Sequence, residues 1–206
     1  MSGAFPISNA KFGTFGIKSI QNTIISKTVS GKKLARQIDN QRFAFTVQIV
    51  TAKRSDVYGE LMAFIMKQRS GKENFTIIPP EIEDARGNET NTVLVNGSHA
   101  VGDTTIAMDG HHNDNPHAFK AGDFIKFASH SKVYMIVADV QASSNASTVT
   151  IEPPLIATVA DDSVVTYDNV PFTVYLTNDI QEFGVSGVSN DGKLYYEYQF
   201  DVEEAL

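Results

Sequence analysis

Arg42-Phe43-Ala44-Phe45-Thr46-Val47-Gln48-Ile49-Val50 alternates, with Phe43, Phe45, Val47 and Ile49 on one face and Arg42, Ala44, Thr46 and Gln48 on the other. A period of two is that of a half-buried strand, because successive side chains leave the pleat on opposite faces. Much of the chain follows the same pattern. Thr23 to Val29 is β-branched and alternating, and Ser30-Gly31-Lys32 reads as the turn after it. Asn74 to Ile78 reads as a strand that Pro79-Pro80 ends, since proline cannot donate to a ladder. The first 22 residues carry Lys11-Phe12-Gly13 and Thr14-Phe15-Gly16, and read as an extended, turn-rich segment whose aromatics dock elsewhere.

One helix interrupts the strands. Ser55 and Asp56 are N-cap residues by type, Val57, Leu61, Phe64 and Ile65 recur at helical spacing, and Gly71 stands where a stop belongs, so a helix is expected over 55–70. Met62 and Met66 border its apolar stripe. Glu81 to Asn91 is polar and acidic, as a linker would be. Short β segments then follow closely: Thr92–Val95, Thr104–Met108, Asp123–Phe127, Lys132–Val140, Thr148–Ile151 and Val164–Tyr167, with turn clusters between them. This density suggests a small closed barrel. Phe172–Leu176, Gln181–Val185 and Leu194–Val202 return as strands, the last two joined at Asn190-Asp191-Gly192. The fold class expected is mainly β with one helix.

The net charge of −7 is unevenly spread. Residues 1–80 hold 12 Lys/Arg against 4 Asp/Glu (+8), residues 81–168 hold 4 against 13 (−9), and residues 169–206 hold 1 against 7 (−6). If the first and last segments fold together their charges nearly cancel, leaving the middle as a separate acidic unit. That division gives a split domain over 1–85 and 169–206, interrupted by an inserted barrel over 86–168. The basic residues are dispersed, without an arginine-rich run or a helix-turn-helix pattern, which argues against a nucleic-acid binder.

Chemistry is sparse. The chain has no cysteine, which excludes disulfides, thiol nucleophiles and thiolate metal sites. No start resembling a signal peptide and no apolar run long enough to cross a bilayer is present, so a soluble product is expected. The Asn-x-Ser/Thr triplets at Asn74, Asn88, Asn96 and Asn145 are read as chance. His111, His112, Asp114 and His117 share one loop, but their spacing matches no closed metal site, and a solvated loop tip is expected. Ser30-Gly31-Lys32 and Ser70-Gly71-Lys72 lack the upstream glycine of a phosphate loop. Asp109, Asp114, Asp123, Asp139, Asp161 and Asp162 flank turns, where aspartate serves turn geometry, and are read as solvated rather than as a glycosidase pair. No catalytic residue, cofactor or metal is expected.

Lys120-Ala121-Gly122-Asp123-Phe124-Ile125-Lys126-Phe127, followed by His130-Ser131-Lys132-Val133-Tyr134, has a plain physical reading: a tight turn with Gly122 free to take positive φ, then a barrel hairpin. The same stretch, with the order of elements, the length and the closing Glu203-Glu204-Ala205-Leu206, resembles the distal tail proteins of long-tailed bacteriophages, especially the T5-like siphophages. The resemblance implies a hexameric ring at the end of the tail tube, built from the sandwich and joined to the tube protein and to the tip hub or baseplate. It also implies an OB-fold-like insert that projects outward, where a tail fibre or collar protein could dock. It places the protein in the virion, at the tail tip, after assembly in the host cytoplasm. The alternative is a host-surface module whose insert binds cell-wall carbohydrate, and a carbohydrate-active enzyme is a third reading. Membranes and sequence-specific nucleic acid are not expected partners.

Overall fold

The computed structural model describes residues 3–6, 11–38, 40–80, 82 and 84–206; Glu81 and Glu83 of the expected linker lie outside them. Strands β1 (Phe12–Ile20), β4 (Arg42–Lys53), β5 (Phe75–Ile77), β12 (Phe172–Leu176), β13 (Phe183–Val188) and β14 (Leu194–Glu204) form one sheet, ordered β1-β4-β14-β12-β5 with β13 also on β14. All its pairings are antiparallel. β2 (Thr23–Lys27) and β3 (Lys33–Gln37) pair only with each other. A second sheet joins β6 (Leu94–Val95), β7 (Thr105–Asp109), β8 (Phe124–Phe127), β9 (Val133–Ile136), β10 (Ser147–Glu152) and β11 (Val165–Thr166) in the order β11-β8-β9-β10-β7-β6. A bridge between Leu94 and Val164 brings its two ends together, so the sheet is nearly a closed barrel.

The alternation of β4 is realised: Phe43, Phe45, Val47 and Ile49 are all buried. Between them and β14 lies the charge balance anticipated from the sequence. Arg42 pairs with Glu203 at 2.8 Å and Lys53 with Asp191 at 3.2 Å, so basic β4 lies beside the acidic final strand and its turn. The first residues are more regular than expected, because the Phe-Gly units lie at the start of β1, which runs eight pairs along β4. Their aromatics do dock: Phe15 lies 5.0 Å from Phe45 between ring centroids, and Phe12 touches Phe5 and Phe15.

The helical segment differs from expectation. It opens with a π-helical turn, Arg54–Tyr58, and continues as α1 (Gly59–Lys67), with a short 3-10 turn at Ser70–Lys72. Neither Ser55 nor Asp56 caps a backbone N–H; Ser55 Oγ donates to Asp56 instead. The wider π turn brings Val57 and Tyr58 inward, so that Tyr58, Leu61 and Ile65 are buried together, with Phe64 edge-on to Phe75 at 5.4 Å. Met62 packs on this core while Met66 is 73% exposed.

Gly71 does not end the helix through positive φ; Arg69 and Ser70 take φ of 52° and 59° instead. Its role is close approach: a Cβ there would lie 2.6 Å from the Leu176 carbonyl oxygen of β12. Gly71→Ala is therefore expected to destabilise the protein by about 1–3 kcal/mol, as forced overpacking does. The check is urea unfolding, where an unchanged midpoint would refute the steric role.

Candidate functional site

The histidine loop and the turn aspartates of the middle segment were expected to be solvated, but His111 and Asp123 lie in buried networks, and Lys132 forms a third. Glu89 receives backbone N–H bonds from Thr90, Asn91 and His112 and sits 3.0 Å from His111 Nδ1. His111 is wholly enclosed, and its Nε2 is 2.7 Å from Ser147 Oγ. An ionised carboxylate can only accept, so His111 Nδ1 donates to Glu89. Ser147, His111 and Glu89 thus stand in the order of a hydrolytic triad. A general base must reach the reacting atoms, and no part of His111 is accessible to a substrate. The three instead tie the loop after β7 to β10 and to the segment that enters the barrel.

That arrangement corrects the solvated-tip reading for His111 while keeping it for His112 and His117, which are exposed. The three imidazoles do not converge, and no three metal-ligating side chains come together among the described residues. No signal in the sequence tied Glu89 to His111, because the two stand 22 residues apart with no periodic spacing between them.

Asp123 is also buried. It accepts from the Lys120 backbone N–H at 2.8 Å, which is the turn role expected of it, and from the Arg86 backbone N–H at 2.9 Å, which ties down the supposed linker. Gly122 takes φ of +97°, as the turn requires. Asp139, Asp161 and Asp114 each accept a backbone N–H, from Ala121, Gly97 and Ser144, so they serve loop geometry. Where the chain enters and leaves the barrel the two crossings clasp each other: Ala85 N–H donates to Asp168 and Asn169 N–H to Asp84.

The third network joins the barrel to the first sheet. The outer faces of β8 and β9 turn Phe124 and Val133 into the core of the first sheet, where Phe124 meets Phe43 at 5.4 Å and Phe172 at 5.6 Å. Beside them Lys132 is fully buried. Its ammonium donates to Glu204 and to Gln41 Oε1 at 3.0 Å, and lies 4.6 Å from the centre of the Phe43 ring. Glu204 also accepts the backbone N–H groups of Val133 at 2.9 Å and Phe43 at 3.1 Å. Burial pushes the Lys132 ammonium below its usual range, while the Glu204 charge pulls it back up.

In contrast, every residue of β2 and β3 is exposed. Their register places Ile24 opposite Arg36 and Ser26 opposite Leu34, so these four share one face, while Ile25, Ala35, Lys27 and Lys33 share the other. Ile24 is 57% and Leu34 49% exposed.

Burial would raise the Glu89 pKa, but the N–H groups of Asn91, His112 and Thr90 and the His111 ring outweigh it and hold the carboxyl at about 2, against an ordinary 4.5. A depressed pKa gives stability that is complete above about pH 4.5 and lost as pH falls through about 2. Comparing the protein with Glu89→Gln, the stability difference is expected to shrink by about 2–4 kcal/mol across that window. Chemical unfolding at stepped pH measures it, and a constant difference would refute the buried, ionised Glu89.

No helix among the described residues is long and apolar enough to cross a membrane. No curated protein matches the chain. Residues 82–170, less than half of the chain, match the family model described as distal tail protein pb9, B domain. A distal tail protein domain at this position supports a phage distal tail protein with a structural role in the virion, in association with other tail components.

Proposed function

We propose that the chain forms a ring, of six copies by resemblance, at the distal end of a phage tail, joining the tail tube to the tip hub. In this reading residues 1–85 and 169–206 make the ring unit. Residues 86–168 make an outward insert, OB-fold-like in size and near-closure although six-stranded where that fold has five, which offers a docking platform to fibre or collar proteins. The chain acts mechanically, without catalysis.

The observation that carries the ring is the β2–β3 arm. A two-stranded hairpin is marginal alone in water, yet this one stands off the main sheet with Ile25 bare on one face and Ile24 and Leu34 bare beside Arg36 on the other. A second copy of the chain would cover that face, and an arm placed on a different surface of the next copy is the heterologous contact that closes rings. The carbohydrate alternative has weaker support. Sugar recognition uses exposed rings, as does base stacking, and Phe119, Phe124, Phe127, Tyr134 and Tyr167, all the Phe and Tyr of residues 86–168, are buried.

Mixing the chain with tail tube protein and viewing the product by negative-stain microscopy tests the ring. Rings are expected with the natural sequence, and Ile24→Glu with Leu34→Glu is expected to abolish them without changing the circular dichroism spectrum. A chain that stays monomeric and has no affinity for the tube protein would overturn the proposal. Rings formed equally well by the double variant would overturn the role of the arm.

A further inference from the structure

The barrel leaves the sandwich at Asp84 and returns at Asn169, so two neighbouring crossings alone would allow it to swing as on a hinge. Three features oppose this. Phe124 and Val133 from the barrel lie in the sandwich core. Lys126 Nζ donates to the Pro171 carbonyl at 3.1 Å, beside the return crossing. Far along the chain from the crossings, Lys132 and Glu204 meet with neither exposed to water.

The apolar contact gives adhesion without direction. The ion pair is different in kind. Glu204 Oε1 accepts from the barrel at Val133 N–H, and Oε2 accepts from the sandwich at Phe43 N–H and from Lys132. One carboxylate therefore binds backbone of both units at once. Gln41, which takes another Lys132 proton, is itself held by donating its amide to Ser19 Oγ of β1 at 2.9 Å. A small rotation of the barrel would break several charge-assisted bonds in a place where water cannot replace them.

We propose that Lys132 and Glu204 form a latch that fixes the barrel in one orientation on the sandwich, so that a load on the barrel passes directly into β4 and β14. The latch belongs to the single chain and does not depend on ring formation.

Distance measurement between two spin labels on the full chain tests it, and the absence of native cysteine makes the labelling clean. Met66→Cys on α1 and Val101→Cys in the barrel are exposed positions on the two units. The background chain is expected to give one narrow distance distribution. Glu204→Gln is expected to widen it at least twofold. Lys132→Met combined with Glu204→Leu removes both charges and keeps apolar volume, so it remains informative where the single variant fails to fold. A folded double variant with a widened or displaced distribution supports the latch. One as narrow and centred as the background would show that the apolar contact alone sets the orientation, and would overturn it.

Discussion

A lysine and a glutamate held together out of water constrain everything around them. Removing either charge from solvent costs several kcal/mol, on the order of what a buried pair returns only when its geometry is good and its remaining valences are filled. Here they are filled: Lys132 has Glu204, Gln41 and the face of Phe43, and Glu204 has two backbone N–H groups besides. The demand reaches outward. β14 must end beside the first residues of β4, β9 must begin where its first N–H faces that carboxylate, and Gln41 must be held by β1. Three strands of one sheet and a hairpin of the other are thus placed by one contact.

The polar groups around the barrel follow the same logic at smaller scale. Asp123, Glu89, Asp84 and Asp168 each take backbone N–H groups that no strand satisfies. Loops leaving a small barrel carry many such donors, and unpaired ones are costly where they are enclosed. Carboxylates accept several at once, which accounts for an acidic middle segment without any need for a cationic ligand. The −9 balance of residues 81–168 is in part this architecture written as composition.

Alternation made β4 legible in the sequence, because it buries one face and shows the other, while turn clusters marked the barrel strands and the closing hairpin. The junction left a signal of the opposite kind, which the reading of that stretch as a plain barrel hairpin did not use. Val133-Tyr134-Met135-Ile136 and Phe124-Ile125 do not alternate in polarity, since Tyr134, Ile136 and Ile125 fill the barrel while Phe124 and Val133 enter the sandwich core, with Met135 against it. Runs without a polar face mark strands covered on both sides. Lys132, just ahead of that run, reads as a solvent contact by residue type, and only the partner 72 positions away makes it otherwise. Glu89 and His111 were hidden for the same reason: burial of a polar residue depends on contacts distant in sequence. The π turn was hidden as well, because Ser55 and Asp56 carry a cap's chemistry while the backbone leaves β4 too directly to use it.

The arm and the barrel answer burial in opposite ways. In the barrel, apolar residues on an outer strand face found cover within the chain, and a specific polar contact fixed their place. β2 and β3 mix apolar and polar residues on each face, with Ile24 and Leu34 beside Arg36 on one and Ile25 beside Lys27 and Lys33 on the other. Nothing among the described residues covers either face, although the hairpin keeps five paired positions. Isolated apolar residues on a surface need no explanation, but three bare ones on a strand pair that has no other support do. The chain thus treats two sets of outward apolar residues differently: the barrel's are covered and held by a polar contact, and the arm's are left bare within the single chain.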